Sequence, residues 1–151
     1  METYDRETAA RVWQRVHAGS SPTHLQDTTL LNLIASEAAD AATYLRLSRV
    51  SQGRDAAVFR RLFEEEQAHT SCLKGIYTLQ TGEKAIVPSP TPEADKTTAT
   101  LRRCYGREMR SLAEYENRST DPEYGPVFAR LAAQEREHCK IVLELLGRQR
   151  E

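Results

Sequence analysis

Two stretches of the chain repeat each other, and the repeat carries ionisable residues where a packed helix should be apolar. Residues 58–69, Val-Phe-Arg-Arg-Leu-Phe-Glu-Glu-Glu-Gln-Ala-His, align with 127–138, Val-Phe-Ala-Arg-Leu-Ala-Ala-Gln-Glu-Arg-Glu-His, at an offset of 69. Six of the twelve positions are identical: Val58/Val127, Phe59/Phe128, Arg61/Arg130, Leu62/Leu131, Glu66/Glu135 and His69/His138. A second pair of segments repeats at an offset of 71, through Leu30/Leu101, Glu37/Glu108 and Tyr44/Tyr115. A chain with this pattern is two related helical hairpins, the second with a loop two residues shorter.

Apolar residues recur with a period near 3.6 in four segments. The stripes are Leu30, Leu33, Ile34, Ala41 and Tyr44 in 27–51, and Phe59, Leu62, Phe63, Leu73, Ile76 and Tyr77 in 55–79. They continue as Leu101, Cys104, Tyr105, Leu112 and Tyr115 in 98–119, and Phe128, Leu131, Ala132, Val142, Leu145 and Leu146 in 122–148. No segment alternates like a strand. A shorter helix over about 3–17, with Val12, Trp13 and Val16, is expected to pack across the others. Residues 1–26 thus read as an N-terminal helix and linker, and 27–151 as a four-helix bundle. Gly53 and Asp55 predict a helix stop and the next N-cap. Asp121-Pro122 predicts a cap with proline at the first helical position, which Gly125-Pro126 can delay by a turn.

The stretch from Thr81 to Asp95, with Gly82, Pro88, Pro90 and Pro92, is too rich in breakers to be an element. Tight turns make the first and second helices antiparallel, and likewise the third and fourth. About 15 extended residues reach roughly 50 Å at ~3.3 Å each, whereas a helix of about 24 residues is about 36 Å long. A crossover over about 80–97 can therefore run the length of the bundle and leave the second and third helices parallel.

At 151 residues the chain has the size of one domain. Lys plus Arg is 21 and Asp plus Glu is 22, a net charge of -1, so no basic field exists to gather nucleic acid. No apolar run approaches the roughly 18 residues of a transmembrane helix. The opening residues Met1-Glu-Thr-Tyr-Asp-Arg-Glu are polar and acidic, unlike a secretory signal. Three cysteines without a CxxC pair exclude a zinc ribbon, a thioredoxin motif and a rubredoxin-type iron site. The expectation is a cytoplasmic protein with free thiols, Cys72 and Cys104 packing as small hydrophobes.

The polar residues of the repeats fall on the apolar stripes. Glu37 lies between Ile34 and Ala41, Glu66 and His69 between Phe63 and Leu73, Glu108 between Tyr105 and Leu112, and Glu135 and His138 between Ala132 and Val142. Four ionised carboxylates in a bundle core are severely destabilising unless protonated or neutralised by cations. Two divalent cations cancel four negative charges and leave two imidazoles as neutral ligands. The i, i+3 spacing lets Glu66 with His69, and Glu135 with His138, reach inward together. Six ligands with four carboxylates suit iron or manganese better than a closed tetrahedral zinc site. The competing reading of these residues is a decayed duplication whose core polar residues only hydrogen-bond, and the corresponding function is a metal-free structural dimer. Tyr44 and Tyr115, two turns beyond Glu37 and Glu108, are candidates to hydrogen-bond ligand carboxylates. Asp40 reads as an interhelical or solvated polar residue, Glu64, Glu65 and Glu137 as a wet face, and His17 and His24 as surface residues.

One Glu from each of two helices and a Glu-x-x-His from each of the others is the constellation of ferritin-like di-iron and di-manganese bundles. On Glu37 with Tyr44, Glu66-Gln-Ala-His69, Glu108 with Tyr115 and Glu135-Arg-Glu-His138, the chain resembles the rubrerythrin branch of that superfamily over about 28–148. The resemblance implies a ferritin-like bundle with two iron ions, manganese or a mixed Mn/Fe pair being the variants. It implies Glu66 and Glu135 as bridges, Glu37 and His69 mainly on one ion, and Glu108 and His138 mainly on the other. It further implies hydrogen peroxide reduction, with electrons from a separate donor such as a rubredoxin-like protein, in a homodimer. The alternatives are a ferritin-type ferroxidase or iron-binding protein, acting on dioxygen, and a dimanganese catalase-like site. Three features depart from the family: Ser111 replaces a usual second glutamate three residues after the third-helix ligand, the Glu37–Glu66 and Glu108–Glu135 separations of 29 and 27 are short, and the rubredoxin-type relay is absent.

Overall fold

The computed structural model describes residues 28–149. The expected helix over 3–17, and His17 and His24, lie outside these residues. Four helices make up the described fold, with no strand among the described residues: α1 (Thr28–Val50), α2 (Gly53–Thr81), α3 (Thr97–Arg118) and α4 (Gly125–Arg148). None is long and apolar enough to cross a membrane.

Each helix ends within a few residues of its expected place, and the two larger differences have local causes. Gly53 sits at φ 57, in the left-handed region open to glycine, and turns the chain sharply between α1 and α2. The helix is already running there, so Asp55 lies in its first turn rather than at the N-cap. Its carboxylate still suits the positive helix end and meets Arg148 at 3.1 Å. The second difference is the start of α4, three residues after Pro122, which makes the α3–α4 connection, 119–124, longer than the α1–α2 turn, 51–52, and not shorter as the repeat offsets suggest. The Asp121 carboxylate accepts from the backbone N–H groups of Glu123 and Tyr124 at 2.8 and 2.7 Å, closing a separate turn first. Gly125 then passes so close to the preceding turn that a Cβ there would lie 2.5 Å from the Ser119 carbonyl oxygen.

α1 packs along α2 and α3 along α4, with α1–α3 and α2–α4 contacts closing the ring. Tyr115 reaches Glu37 and Tyr44 reaches Glu108, so α1 and α3 run antiparallel. Since α1 is also antiparallel to α2, α2 and α3 are parallel, and the connection between them must return along the bundle. It does so beside α1. Ala85 joins the apolar layer that holds Leu30 and Leu33 at one end, and Arg46 donates to the Asp95 carbonyl at the other.

The core has three storeys. One apolar layer gathers Leu30, Ile34, Ile76, Tyr115 and Phe128 with their neighbours. The other gathers Tyr44, Leu47, Phe59, Leu62, Leu101 and Val142. Between them lies a buried polar storey made of the six ionisable repeat residues.

Candidate metal centre

Glu37, Glu66, His69, Glu108, Glu135 and His138 are each no more than 1% exposed, and the bundle brings all six together. Glu66, His69, Glu135 and His138 each offer a ligand atom within 4.8 Å of the others, and this group could hold a metal ion. The two imidazoles stack with centroids 5.3 Å apart.

Both histidines aim Nδ1 inward. His69 Nδ1 lies 2.8 Å from Glu135, 3.3 Å from Glu66 and 3.6 Å from Glu37. His138 Nδ1 lies 2.7 Å from Glu66, 3.5 Å from Glu108 and 3.9 Å from Glu135. Two overlapping sets result, one with Glu37 and one with Glu108, sharing Glu66 and Glu135. These are ion-pair distances without hydrogen-bond alignment. Glu37 Oε2, both oxygens of Glu66 and of Glu135, and Nδ1 of His69 and of His138 are buried without an aligned hydrogen bond. Buried polar atoms without partners are costly and rare. Here they are concentrated in one storey and belong to the residue types that ligate metals.

The protonation pattern follows the same crowding. Burial pushes Glu66 and Glu135 far above the usual carboxylate range, and neighbouring carboxylates add to it. Burial acts on Glu37 in the same sense but is outweighed by Glu66 and His69, which hold it down at about 2. Glu108 is likewise held low against burial, by Glu135 and His138. Burial would discharge the imidazoles, yet the surrounding carboxylates raise both, His138 to about 10.

The tyrosines act across the bundle rather than along their own helices. The Tyr115 hydroxyl donates to Glu37 Oε1 at 2.7 Å, and the Tyr44 hydroxyl donates to Glu108. Burial, with the charge on those carboxylates, pushes both phenols up and keeps them protonated as donors. Phe59 stacks on Tyr44 and Phe128 on Tyr115 at 6.4 and 6.2 Å, which explains the phenylalanine in each Val-Phe-x-Arg-Leu lead.

Sequence reasoning missed three participants. Glu65, read as part of a wet face, is only one-third exposed, and its Oε2 meets His138 Nε2 at 2.8 Å. Gln134 Oε1 meets His69 Nε2, also at 2.8 Å. Both residues immediately precede a Glu of the Glu-x-x-His pairs, which was the available signal. The third is Arg107, whose Nε lies 2.5 Å from Asp40 Oδ1 and whose Nη1 lies 2.5 Å from Glu93. Asp40 is therefore buried and engaged between helices, and the crossover is tied to the bundle beside the polar storey. Ser111 is buried one turn beyond Glu108, without a carboxylate to offer. Glu65 and Gln134 also line a surface pocket of about 340 Å³ between α2 and α4, with Arg61, Arg130, Ala133 and Glu137. Cys104 and Cys139 are buried and Cys72 half-buried, and all three are free thiols.

No protein-family model, no curated protein and no solved structure matches this chain.

Proposed function

We propose that the polar storey is a dinuclear metal centre, with iron as the native metal, and that the protein is a rubrerythrin-like, ferritin-like oxidoreductase that reduces hydrogen peroxide. The observation that carries the reading is the set of orphaned buried atoms on Glu37, Glu66, His69, Glu135 and His138. A merely structural polar core aligns such atoms in hydrogen bonds with each other.

Glu66 and Glu135, each having both oxygens without an aligned partner, would be shared by the two ions. Glu37 with His69 completes one position and Glu108 with His138 the other, in keeping with their Nδ1 distances. Tyr115 donates to one oxygen of Glu37 and Tyr44 to one oxygen of Glu108, which orients the two carboxylates that would complete the two positions. When bound, two redox-active ions supply the two electrons that peroxide takes up, with two protons, to give two waters. The apolar layers above and below exclude bulk water, and a separate small electron donor restores the reduced state. The two buried thiols do not compete for this role: burial raises Cys139 to about 11 and Cys104 further, so neither is a ready thiolate at neutral pH.

Metal analysis of protein purified without added metal, followed by anaerobic Fe(II) loading and stopped-flow mixing with peroxide or dioxygen at equal concentration, tests the reading. Two irons per chain and faster oxidation by peroxide are expected. Faster oxidation by dioxygen replaces the peroxidase with a ferritin-type ferroxidase, and native manganese points to a catalase-like site. Failure to bind any metal leaves a structural bundle.

A further inference from the structure

The two metal positions look equivalent in their direct ligands, but the residues behind the histidines are not. Positions 65 and 134 correspond in the repeat, at the same offset of 69 that relates Glu66 to Glu135 and His69 to His138. Each reaches across to the outer ring nitrogen of the histidine on the opposite hairpin, and both distances are 2.8 Å. Geometry is thus held constant while chemistry changes: Glu65 is a carboxylate and Gln134 an amide.

We propose that this single difference makes the centre unequal, the position of Glu108 and His138 binding its ion more tightly and filling first, and the position of Glu37 and His69 filling second. The proposal rests on the dinuclear reading above. Two physical effects act in the same direction. A carboxylate accepting from Nε2–H places negative charge behind the ring and strengthens Nδ1 as a donor, whereas an amide supplies only a dipole. A carboxylate also only accepts, so Glu65 admits one tautomer of His138, the one with Nδ1 bare for a metal. Gln134 can turn its amide and donate to Nε2, which serves the tautomer whose Nδ1 carries hydrogen and cannot ligate.

Neighbouring charges do not cancel the difference. Arg61 pairs with Glu65 at 3.0 Å, but through Oε1 and on the solvent side, leaving Oε2 for His138. Such exposed pairs are weak and screened. Asp40, a carboxylate beside Glu108, is matched by Arg107 at 2.5 Å.

The test is anaerobic titration of the metal-free protein with Co(II), followed by calorimetry and visible absorption. Wild-type protein is expected to show two binding steps separated by about tenfold or more, the range over which such outer partners of ligands act. Glu65→Gln should weaken the tight step by about 10–100-fold and merge the two, while Gln134→Glu should strengthen the weak step. The double exchange Glu65→Gln/Gln134→Glu should restore two separated steps, with His69→Ala now removing the tight one. Circular dichroism of each variant separates loss of binding from loss of fold. Indistinguishable steps in the wild type, or a tight step unmoved by Glu65→Gln, overturn the proposal while leaving the dinuclear centre intact. No Co(II) binding at all overturns the centre itself.

Discussion

The α1–α2 hairpin and the α3–α4 hairpin place the same chemistry in the core and different chemistry just outside it. Inside, Glu37, Tyr44, Glu66 and His69 have counterparts in Glu108, Tyr115, Glu135 and His138, and even the Tyr–Phe stacks match within 0.2 Å. One step outward, Glu65 faces Gln134 in the repeat, and Asp40, with its Arg107 partner, faces Ser111. A buried carboxylate or imidazole is tolerated only within a complete set, so losing one member strands the rest. At the edge of that set Glu65 reaches solvent and Asp40 a salt bridge, so each has support outside the set.

The largest effect should come from breaking what the halves share. Glu66→Ala and Glu135→Ala should each abolish the two-ion stoichiometry, measured by metal analysis after anaerobic Fe(II) loading. If one variant still holds two ions with an unchanged spectrum, that glutamate is not a bridge and the halves are unequal at their centre.

Next in size is the response to metal and pH. Metal that binds only the folded chain at 100 times its Kd adds about 2.7 kcal/mol, or roughly 5–10 °C in melting temperature for a chain this size. A chelator should reverse that shift, and an unchanged melting curve counts against the centre. The sign with pH follows from the protons held in the storey. Glu66 and Glu135 titrate far above their unfolded value of 4.5, so metal-free stability falls as pH rises beyond 4.5. The raised His138 adds stability that is complete below 6.5 and lost as pH climbs through about 10. The depressed Glu37 acts oppositely, its contribution being present above 4.5 and lost as pH falls toward 2. Metal-free protein should therefore be most stable at mildly acidic pH. Because the raised groups Glu66, Glu135, His69 and His138 must be deprotonated to ligate, loading should release protons, seen by calorimetry in buffers of different ionisation enthalpy.

A finer comparison pairs Tyr44→Phe with Tyr115→Phe. Each removes one donor to a buried carboxylate, at about 1.5–3 kcal/mol, and denaturant melts of the metal-free variants should show similar losses. A marked difference would show that the repeat symmetry of the core is only geometric.

Smallest should be Ser111→Glu, which supplies on α3 the carboxylate that the rubrerythrin-like pattern usually has there. It is expected to change the oxidised spectrum or the rate with peroxide without changing metal stoichiometry. No change in either would mean the added side chain does not reach the ions.

Much of this was legible because local rules govern it. The 3.6-residue period placed the four helices and their inward faces, and Glu-x-x-His spacing put two donors on one face of α2 and of α4. The hairpin pairing and the parallel α2–α3 arrangement followed from loop lengths. Less legible were the ends of α2 and α4, where a left-handed Gly53 and the close approach at Gly125 decide the boundary. Glu65 was misread for a related reason. Its position on α2 is peripheral, and only the approach of α4 sets His138 Nε2 beside it.

What the sequence by itself determined was the composition of the buried storey, because periodicity and charge act within one helix and a repeat reports its own symmetry. What the tertiary structure decided was every partnership across helices: Tyr44 with Glu108, Tyr115 with Glu37, Glu65 with His138, Gln134 with His69 and Arg107 with Asp40. These depend on how two helices are rotated and slid against each other, and packing over the whole interface sets that rotation. A side chain's own helical position fixes the face it occupies, but the neighbouring helix chooses which atom it meets there.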